Sequence, residues 1–289
     1  MKVVVSSNCM TGGLAASLRI LFPGHEVAAI PYSVLPASDL AEHISGADVC
    51  FYSGPSDLVP THLPETDQRV VRFPELYFNA FHPDQVYAWM PDGSLVESAT
   101  GPYNSAIALW AWRRGLSAAQ TIELFSDKVM SALGYHARWS ASVERLRHDF
   151  TPFPHLDYRD FLDPLRRSGC FMHTVNHPKV TAIASMARVL AAQINPTALT
   201  TPIPLESLLV DSLFNASFAW SVYPSVANSM GFTSDFGWKL EDHSVIGLEQ
   251  FVVDSFAKYD IQRPREINCH ELLWPVYDEV LLPASRKVA

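Results

Sequence analysis

Short apolar runs alternate with helix-like segments through the first hundred residues, and this alternation constrains the fold more than any other feature. Strands are predicted where such runs end at Gly, Pro or polar residues, at Val3–Ser6, His25–Ile30, Asp48–Ser53 and Gln68–Phe73. Helices are predicted between the first three strands, over Gly12–Leu21 and Ser38–Ser45. Continuous apolar strands separated by helices indicate βαβ units and a parallel sheet covered on both faces.

A parallel sheet also predicts where a ligand would bind. Ligands of such sheets lie beyond the carboxyl ends of the strands, near the point where the strand order reverses. The loops after the first, third and fourth predicted strands are therefore expected to line one site; they are Ser6–Gly13, Gly54–Asp57 and Pro74–Asp84. The fold class predicted for residues 1–100 is an α/β domain with a parallel sheet of Rossmann-like or SGNH-like type.

From about Asn104 onwards the sequence is mainly helical, so residues 101–289 are predicted as a large helical part packed against the sheet domain. Helices are predicted at Ser105–Arg114, Ser117–Leu133, Ser140–Asp149, Tyr158–Arg167, Val180–Ile194 and Ile246–Tyr259. Ser117 and Gln120 form the pattern of a capping box. The apolar run Cys170–Val175 is predicted to be a buried strand that returns to the sheet.

Composition and charge exclude several classes of function. The formal net charge is −9 and no run of like charges occurs, which argues against nucleic acid or an anionic membrane surface as the main partner. No uninterrupted apolar stretch approaches the roughly 18 residues of a membrane span. Met1-Lys2-Val3 leads straight into a strand without the apolar region of a signal peptide, so a cytoplasmic location is expected.

Metal-binding and disulfide patterns are missing from the sequence. The four cysteines are far apart, without a CxxC pair, and the eleven histidines form neither HxH nor HExxH. No metal ion and no disulfide framework are therefore predicted.

The turn Ser6–Gly13 is the first candidate site, because it joins a buried strand to a helix. Backbone N–H groups and the dipole at a helix N-terminus favour negative charge, and glycines let a ligand approach the backbone. At this position Cys9 is a thiolate nucleophile if its pKa is depressed, or a backbone donor to an oxyanion. The turn lacks GxGxxG and GxxxxGK[ST], so a dinucleotide or P-loop site is not supported.

Two His-Pro turns follow predicted strands and supply candidate bases. His82 follows the fourth strand, with Asp84 placed to orient its imidazole or to cap the next element. His177 follows the run Cys170–Val175, between Asn176, a candidate ligand contact, and Lys179, which is near a helix start and suits a phosphate. Asn104, in the sequence Gly-Pro-Tyr-Asn-Ser, is a candidate helix cap or a side chain that faces the cleft.

Taken in order, these segments resemble the WcbI family of capsular-polysaccharide biosynthesis proteins. The resemblance starts at Ser7-Asn8-Cys9-Met10, which is similar to the family's opening Gly-Asn-Cys-Gln. It continues through Phe73-Pro74-Glu75-Leu76-Tyr77-Phe78, Phe81-His82-Pro83-Asp84, Tyr103-Asn104-Ser105, Gly115-Leu116-Ser117, Leu133-Gly134-Tyr135 and Thr174-Val175-Asn176-His177-Pro178. It covers about the first 180 residues. Ser7 in place of Gly and Met10 in place of Gln depart from the family pattern.

The resemblance implies a protein that binds coenzyme A and transfers an acetyl group from acetyl-CoA to a hydroxyl of a sugar or nucleotide-sugar acceptor. His82 or His177 would then act as the base, with Asp84 as its orienting group. Ser7, Asn8, Cys9, Met10, Asn104, Asn176 and Lys179 would bind the cofactor, and Cys9 is the candidate nucleophile if an acyl-enzyme forms.

Three other functions are compatible with a strand–turn–helix site of this kind. An SGNH-like esterase would use Ser6, Ser7 or Cys9 as its nucleophile, although the GDS-type signature and the late Asp-x-x-His are missing. A sulfotransferase would bind its nucleotide in the same turn, although the usual basic residue is absent there. A non-catalytic subunit that binds CoA or a nucleotide in a polysaccharide assembly complex is the third.

Overall fold

A computed structural model of the chain describes residues 1–59, 69–200, 202–234, 236–263, 266–269 and 274–286. Its strands are β1 (Lys2–Ser6), β2 (Glu26–Ala29), β3 (Val49–Tyr52), β4 (Val70–Arg72), β5 (Gln85–Val86), β6 (Asn104–Ser105), β7 (Trp238–Lys239) and β8 (Val245–Ile246). Its helices are α1 (Thr11–Leu21), α2 (Ala37–Ser45), α3 (Ala106–Arg113), α4 (Ala118–Ile122), α5 (Asp127–Ala132), α6 (Arg138–Phe150), α7 (Tyr158–Leu162), α8 (Val180–Ala191), α9 (Leu205–Leu208), α10 (Ser212–Ala216), α11 (Pro224–Ser229), α12 (Leu248–Gln262) and α13 (Trp274–Ser285).

The chain forms two compact units, and each is assembled from two separate segments. The first unit consists of Met1–Phe78 and Val143–Asn215, and the second of Asn79–Ser142 and Ala216–Ala289. The boundary predicted after residue 100 thus differs from this division, because the chain passes between the units three times.

The first unit contains the predicted parallel sheet. Its strands lie in the order β2-β1-β3-β4, and every neighbouring pair is parallel. Val4 of β1 is level with Ala28 on one side and Cys50 on the other. The order reverses at β1, because β2 and β3 lie on opposite sides of it. The predicted fold class, α/β with a mainly helical C-terminal part, is confirmed; Gln68, where the fourth strand was predicted to begin, lies outside the described residues.

Apolar burial on both faces explains why these short runs form strands. On one face Val4, Cys50 and Tyr52 pack with Leu40 and Ile44 of α2 in a single apolar cluster. Side chains alternate along a strand, so the neighbours of Val4 point to the opposite face, and they are fully buried as well. This is the double coverage that an unbroken apolar strand predicts.

On α1, the two glycines have different surroundings. A Cβ atom on Gly13 would lie 3.0 Å from two carbon atoms of Ile183 in α8, so the small residue lets the two helices approach closely. A Cβ atom on Gly12 would meet nothing within 4 Å. Gly13 is therefore a packing requirement of the first unit, whereas Gly12 is not.

The second unit has its own core and two small antiparallel pairs, β5 with β6 and β7 with β8. Trp238 stacks on Phe251 of α12 with ring centroids 4.3 Å apart. The capping box predicted at Ser117 and Gln120 is present at the start of α4. The single helix predicted over Ser117–Leu133 is instead two helices, because Ser126 has the extended conformation of an N-cap and α5 begins after it.

The strand predicted at Cys170–Val175 is wrong. Only an isolated bridge joins Met172 to Pro178, and these residues do not join the four-stranded sheet. The run is apolar because Phe171 packs against Phe78 and Phe161 with ring centroids 4.9 and 6.4 Å apart. A short apolar run reports burial, which loops in a core share with strands. Among the described residues, no helix has the length and apolar character needed to cross a membrane.

The contrast between the two glycines predicts opposite effects of the same substitution. Gly12→Ala should raise the free energy of unfolding by about 0.5 kcal/mol, because it restricts the unfolded chain without a clash. Gly13→Ala should lower it by about 1 kcal/mol through overpacking against Ile183. Urea denaturation measures both, and Gly13→Ala combined with Ile183→Val should recover only part of the loss, because valine lacks the Cδ1 atom but keeps the Cγ2 contact. Equal effects at the two positions would contradict this packing role.

Candidate active site

A cavity of about 730 Å³ in the first unit lies at the carboxyl edge of the parallel sheet. Every strand contributes to it through the loop that follows: Asn8 after β1, Tyr32 after β2, Ser53-Gly54-Pro55 after β3 and Phe73–Tyr77 after β4. Side chains of α6 and its following loop complete the wall, together with Asn176. The cavity thus lies at the edge where the sequence predicts a ligand site, and the ligand site itself stays a prediction.

Asn8 closes a tight turn between β1 and α1. Its side-chain Oδ1 accepts a hydrogen bond from the backbone N–H of Met10 at 3.1 Å, which is an Asx-turn. The backbone oxygen of Asn8 accepts from both the N–H and the hydroxyl of Thr11. Because Oδ1 faces the turn, the amide nitrogen Nδ2 points away from it. Asn8 is one of the residues that line the cavity, while the Met10 N–H is engaged within the turn.

Cys9 has the features of a protonated thiol. Its surface is exposed, but burial around the sulfur raises the pKa of the Cys9 thiol to about 11, and the nearby carboxylate of Glu75 adds to the rise. The thiol lies 3.8 Å from Oδ1 of Asn8, to which it donates. A backbone hydrogen bond at Cys9 opposes the rise in the pKa, but burial is the larger effect and favours the protonated form.

His177 belongs to a tight loop after Val175. The backbone N–H of His173 donates to the oxygen of His177 at 2.7 Å, and the N–H of His177 donates to the hydroxyl of Thr174 at 3.1 Å. Burial, followed by the charge of His173, lowers the pKa of His177 to about 4. The imidazole of His177 is therefore neutral near pH 7, the form that accepts a proton.

His173, adjacent to this loop, is buried and paired with a carboxylate. Its Nε2 lies 2.8 Å from Oδ2 of Asp211. Burial alone would raise the pKa of Asp211, but the hydrogen bond from His173 and the N–H groups of Phe214 and Val180 lower it overall. Lys179 is partly exposed at the N-cap position of α8, directly before Val180.

Asp84 lies fully buried in the second unit, at the start of α3. Its carboxylate accepts hydrogen bonds from the hydroxyls of Ser105, Tyr135 and Tyr223 and from the backbone N–H of Ile107. Burial raises the pKa of Asp84 to about 6, and these donors oppose the rise. Each carboxylate oxygen takes two donors. Asp84 thus satisfies the N-terminal groups of α3, and its role as an orienting group for His82 stays a prediction.

The other candidates of the second unit are also buried. His82 is fully buried, and its ring lies beside that of Phe81. The amide of Asn104 donates to the oxygens of Val96 and Pro102 and accepts from the hydroxyl of Tyr259. These bonds use the amide of Asn104 within its own unit. Its role in binding a cofactor, like that of His82 in catalysis, remains a prediction.

Several side chains that line the cavity are not among the site residues predicted from the sequence; they are Tyr32, Glu75, Arg145, His148 and Asp149. Tyr32 and Glu75 directly follow strands, so the rule that placed the site at the strand ends could have found them. The three residues of α6 come from a segment far along the chain, and no local pattern distinguishes them from a solvated helix face. In the part of the chain that the structure describes, no group of His, Cys, Asp or Glu side chains could hold a metal ion.

The fold and the cavity define an α/β protein with a cavity formed by the loops at the carboxyl edge of a parallel sheet. The sequence model of the family described as "polysaccharide biosynthesis enzyme WcbI" matches residues 2–199, and the chain belongs to this family. The resemblance seen in the sequence is thereby confirmed. No curated protein matches the chain.

A solved structure has the same fold. It is WcbI, described as a novel polysaccharide biosynthesis enzyme, in a native form without a disulfide bond between CoA and a cysteine. The match covers 99% of this chain and 97% of that chain, with a TM-score of 0.66 and 15% sequence identity. At this identity the likeness shows the fold alone.

The proximity of His173 to His177 predicts how a substitution of His173 changes the titration of His177. His173→Gln removes a charge that lowers the pKa of His177, so that pKa should rise above about 4 by up to about one unit. It should stay below the ordinary value, because burial is the larger cause. NMR titration of the His177 ring measures the change. His155→Gln, which removes an exposed imidazole, should leave the His177 titration unchanged; an unaltered titration in His173→Gln would refute the coupling.

Asp84 predicts a pH dependence of stability. Its pKa is higher in the folded chain than in the unfolded one, so protonation favours the folded state. This contribution raises the free energy of unfolding by about 2 kcal/mol as the pH falls from about 6 to about 4. Asp84→Asn should abolish this contribution and cost about 2 kcal/mol at pH 7 through lost hydrogen bonds. Urea denaturation at each pH tests both; the same pH slope in the variant and the wild type would show that Asp84 does not titrate in this range.

Proposed function

We propose that this chain is a CoA-dependent acyltransferase that moves an acetyl group from acetyl-CoA to a sugar hydroxyl in capsular or exopolysaccharide biosynthesis. Membership of a family described as polysaccharide biosynthesis enzymes supports this function, and so does the mention of CoA for the WcbI structure. The observation that carries the proposal is the cavity at the sheet edge, which Asn8 and Asn176 help to line.

The residues present suit an acyl-CoA. When bound, acetyl-CoA supplies an activated acyl group as a thioester. Transfer of that group needs a hydrogen-bond donor where the carbonyl oxygen gains charge, and Nδ2 of Asn8 is such a donor. The phosphates need cationic or backbone donors, for which Arg72, on the wall of an adjoining cavity of about 350 Å³, and Lys179 are available.

His177 is the base in this proposal, with His82 as the second candidate. The neutral imidazole of His177 takes the proton of the sugar hydroxyl while the hydroxyl oxygen forms a bond to the acyl carbon. Asn8 stabilises the carbonyl oxygen as charge develops on it. His177 then returns the proton to sulfur as the carbon–sulfur bond breaks, which leaves an O-acetylated sugar and free CoA.

Cys9 acts as a backbone and packing residue of the turn rather than as a nucleophile. Its raised pKa keeps the thiol protonated near pH 7, and a thiol is a far weaker nucleophile than a thiolate. Direct transfer to the sugar requires no acyl-enzyme. This distinguishes the proposal from an esterase that uses Cys9 covalently.

The first test is binding. CoA and acetyl-CoA at millimolar concentration should raise the melting temperature, because a ligand at 100 times its Kd stabilises the folded state by about 2.7 kcal/mol. Desulfo-CoA should act similarly, whereas the sulfate-donor nucleotide of sulfotransferases should not. No shift with any CoA species would overturn the proposed function.

The second test assigns the roles with acetyl transfer to nucleotide sugars and oligosaccharides as the readout. His177→Gln and Asn8→Ala should each reduce kcat by about a hundredfold or more. Cys9→Ala is the matched control in the same turn and should retain most of the activity. Loss of activity in Cys9→Ala, with hydrolysis of an acetate ester by the wild type in the absence of CoA, would favour the esterase.

A further inference from the structure

A carboxylate and a phenol from two different loops form a fixed pair in the cavity. The hydroxyl of Tyr32, after β2, donates to Oε1 of Glu75, after β4, at 2.8 Å. Burial, together with this hydrogen bond and the charge of Glu75, raises the pKa of Tyr32 to about 12, so Tyr32 remains a donor. Glu75 accepts with one oxygen, and among the described residues its other oxygen takes no hydrogen bond.

The ring of Tyr32 is held in place by Gly54. A Cβ atom on Gly54 would lie 2.7 Å from the Cδ1 atom of Tyr32, which shows that the ring lies directly against the backbone of the loop after β3. The Glu75 carboxylate is therefore positioned by two other loops of the site. Its position in the cavity is thus defined by these contacts, although the Glu75 side chain is exposed.

The charges around the cavity disfavour an anion beside Glu75. The lining side chains described include the carboxylates of Glu75 and Asp149 and one guanidinium, Arg145. Nε of Arg145 lies 3.7 Å from Oδ2 of Asp149, and its Cζ lies 4.3 Å from the centre of the Tyr77 ring. Arg145 thus balances Asp149, and no ion pair to Glu75 occurs in the residues that the structure describes. A phosphate or carboxylate placed here would meet uncompensated negative charge.

The same surfaces suit an uncharged ring that carries hydroxyls. A carboxylate oxygen accepts hydrogen bonds from hydroxyl groups, and the polar residues Asn8 and Asn176 line the same cavity. The rings of Tyr32 and Tyr77 offer apolar faces against which C–H groups can pack. The adjoining cavity has the opposite character, because Arg72 lines it and none of its described lining residues carries a carboxylate.

We infer that Glu75, positioned by Tyr32, binds the hydroxyls of the acceptor, and that the ring bound there is a neutral sugar without a carboxylate or phosphate. The inference rests on the proposed function and names the acceptor class for it. Anionic groups of the donor or of a nucleotide carrier lie outside the reach of Glu75, towards Arg72.

Binding of small glycosides tests the inference directly. Saturation-transfer NMR and titration with neutral methyl hexosides, methyl glucuronide and a hexose 1-phosphate give the selectivity of the wild type. Neutral glycosides should bind, and both anionic sugars should bind at least about tenfold more weakly. Glu75→Gln should weaken the binding of neutral glycosides by about tenfold, because it removes a charged hydrogen-bond acceptor. It should also reduce the difference in affinity between neutral and anionic sugars. Tyr32→Phe should show a smaller loss in the same direction.

Controls separate this inference from the proposed function and from misfolding. Glu42→Gln, an exposed carboxylate on α2, should leave glycoside binding unchanged. Glu75→Gln should keep the melting-temperature shift with CoA; where an acceptor is found, it should raise KM for the sugar more than it lowers kcat. Wild type that binds no neutral glycoside, or that prefers the anionic sugars, or a Glu75→Gln variant with unaltered selectivity would overturn the inference. Glycoside binding without any CoA shift would overturn only the proposed function.

Discussion

The parallel pairing of β1 with both β2 and β3 is the constraint on which the site depends. Because all four strands run in the same direction, their following loops must emerge at one edge of the sheet. The loops can then differ in sequence without losing their meeting point. Asn8, Tyr32 and Glu75 together span more than sixty residues of the sequence, yet they line one cavity because each lies in the loop that follows a strand. The burial of Val4 and Cys50 keeps the strands aligned, so the apolar core determines the geometry of the polar site.

Within this frame, hydrogen bonding decides which groups face a ligand. Asn8 satisfies the Met10 N–H and the Cys9 thiol with the same side-chain oxygen, and this leaves its amide nitrogen directed away from the turn. The carboxylate of Asp84 differs, because its two oxygens accept four hydrogen bonds, all from groups of the second unit. A polar residue in a promising motif can thus belong either to a site or to a helix start, and only its partners distinguish the two.

The sequence was sufficient to predict the sheet, the edge at which the cavity lies and the family. Strand periodicity and the βαβ alternation are local signals, and the carboxyl-edge rule converts them into a position. It was not sufficient for the segment Cys170–Val175, because an apolar run reports burial without reporting hydrogen-bond partners. It also missed Arg145 and Asp149, whose place in the cavity follows from tertiary packing of α6. The pair of Tyr32 and Glu75 lay within reach of the rule, since both follow strands directly.

The two adjoining cavities of the first unit differ in charge, and this difference would orient a ligand that occupies both. In the proposed reaction an acyl group passes from an anionic donor to a sugar. The donor phosphates must then lie away from the group that binds the acceptor hydroxyl, because otherwise phosphate and sugar would compete for one position. In the first unit, Glu75 faces one cavity, whereas Arg72 lines the adjoining one without a carboxylate among its described neighbours. Gly54 and Phe73 line both cavities. A ligand that spans the two would therefore meet negative charge at one end and positive charge at the other, so its orientation would be set by electrostatics as well as by shape.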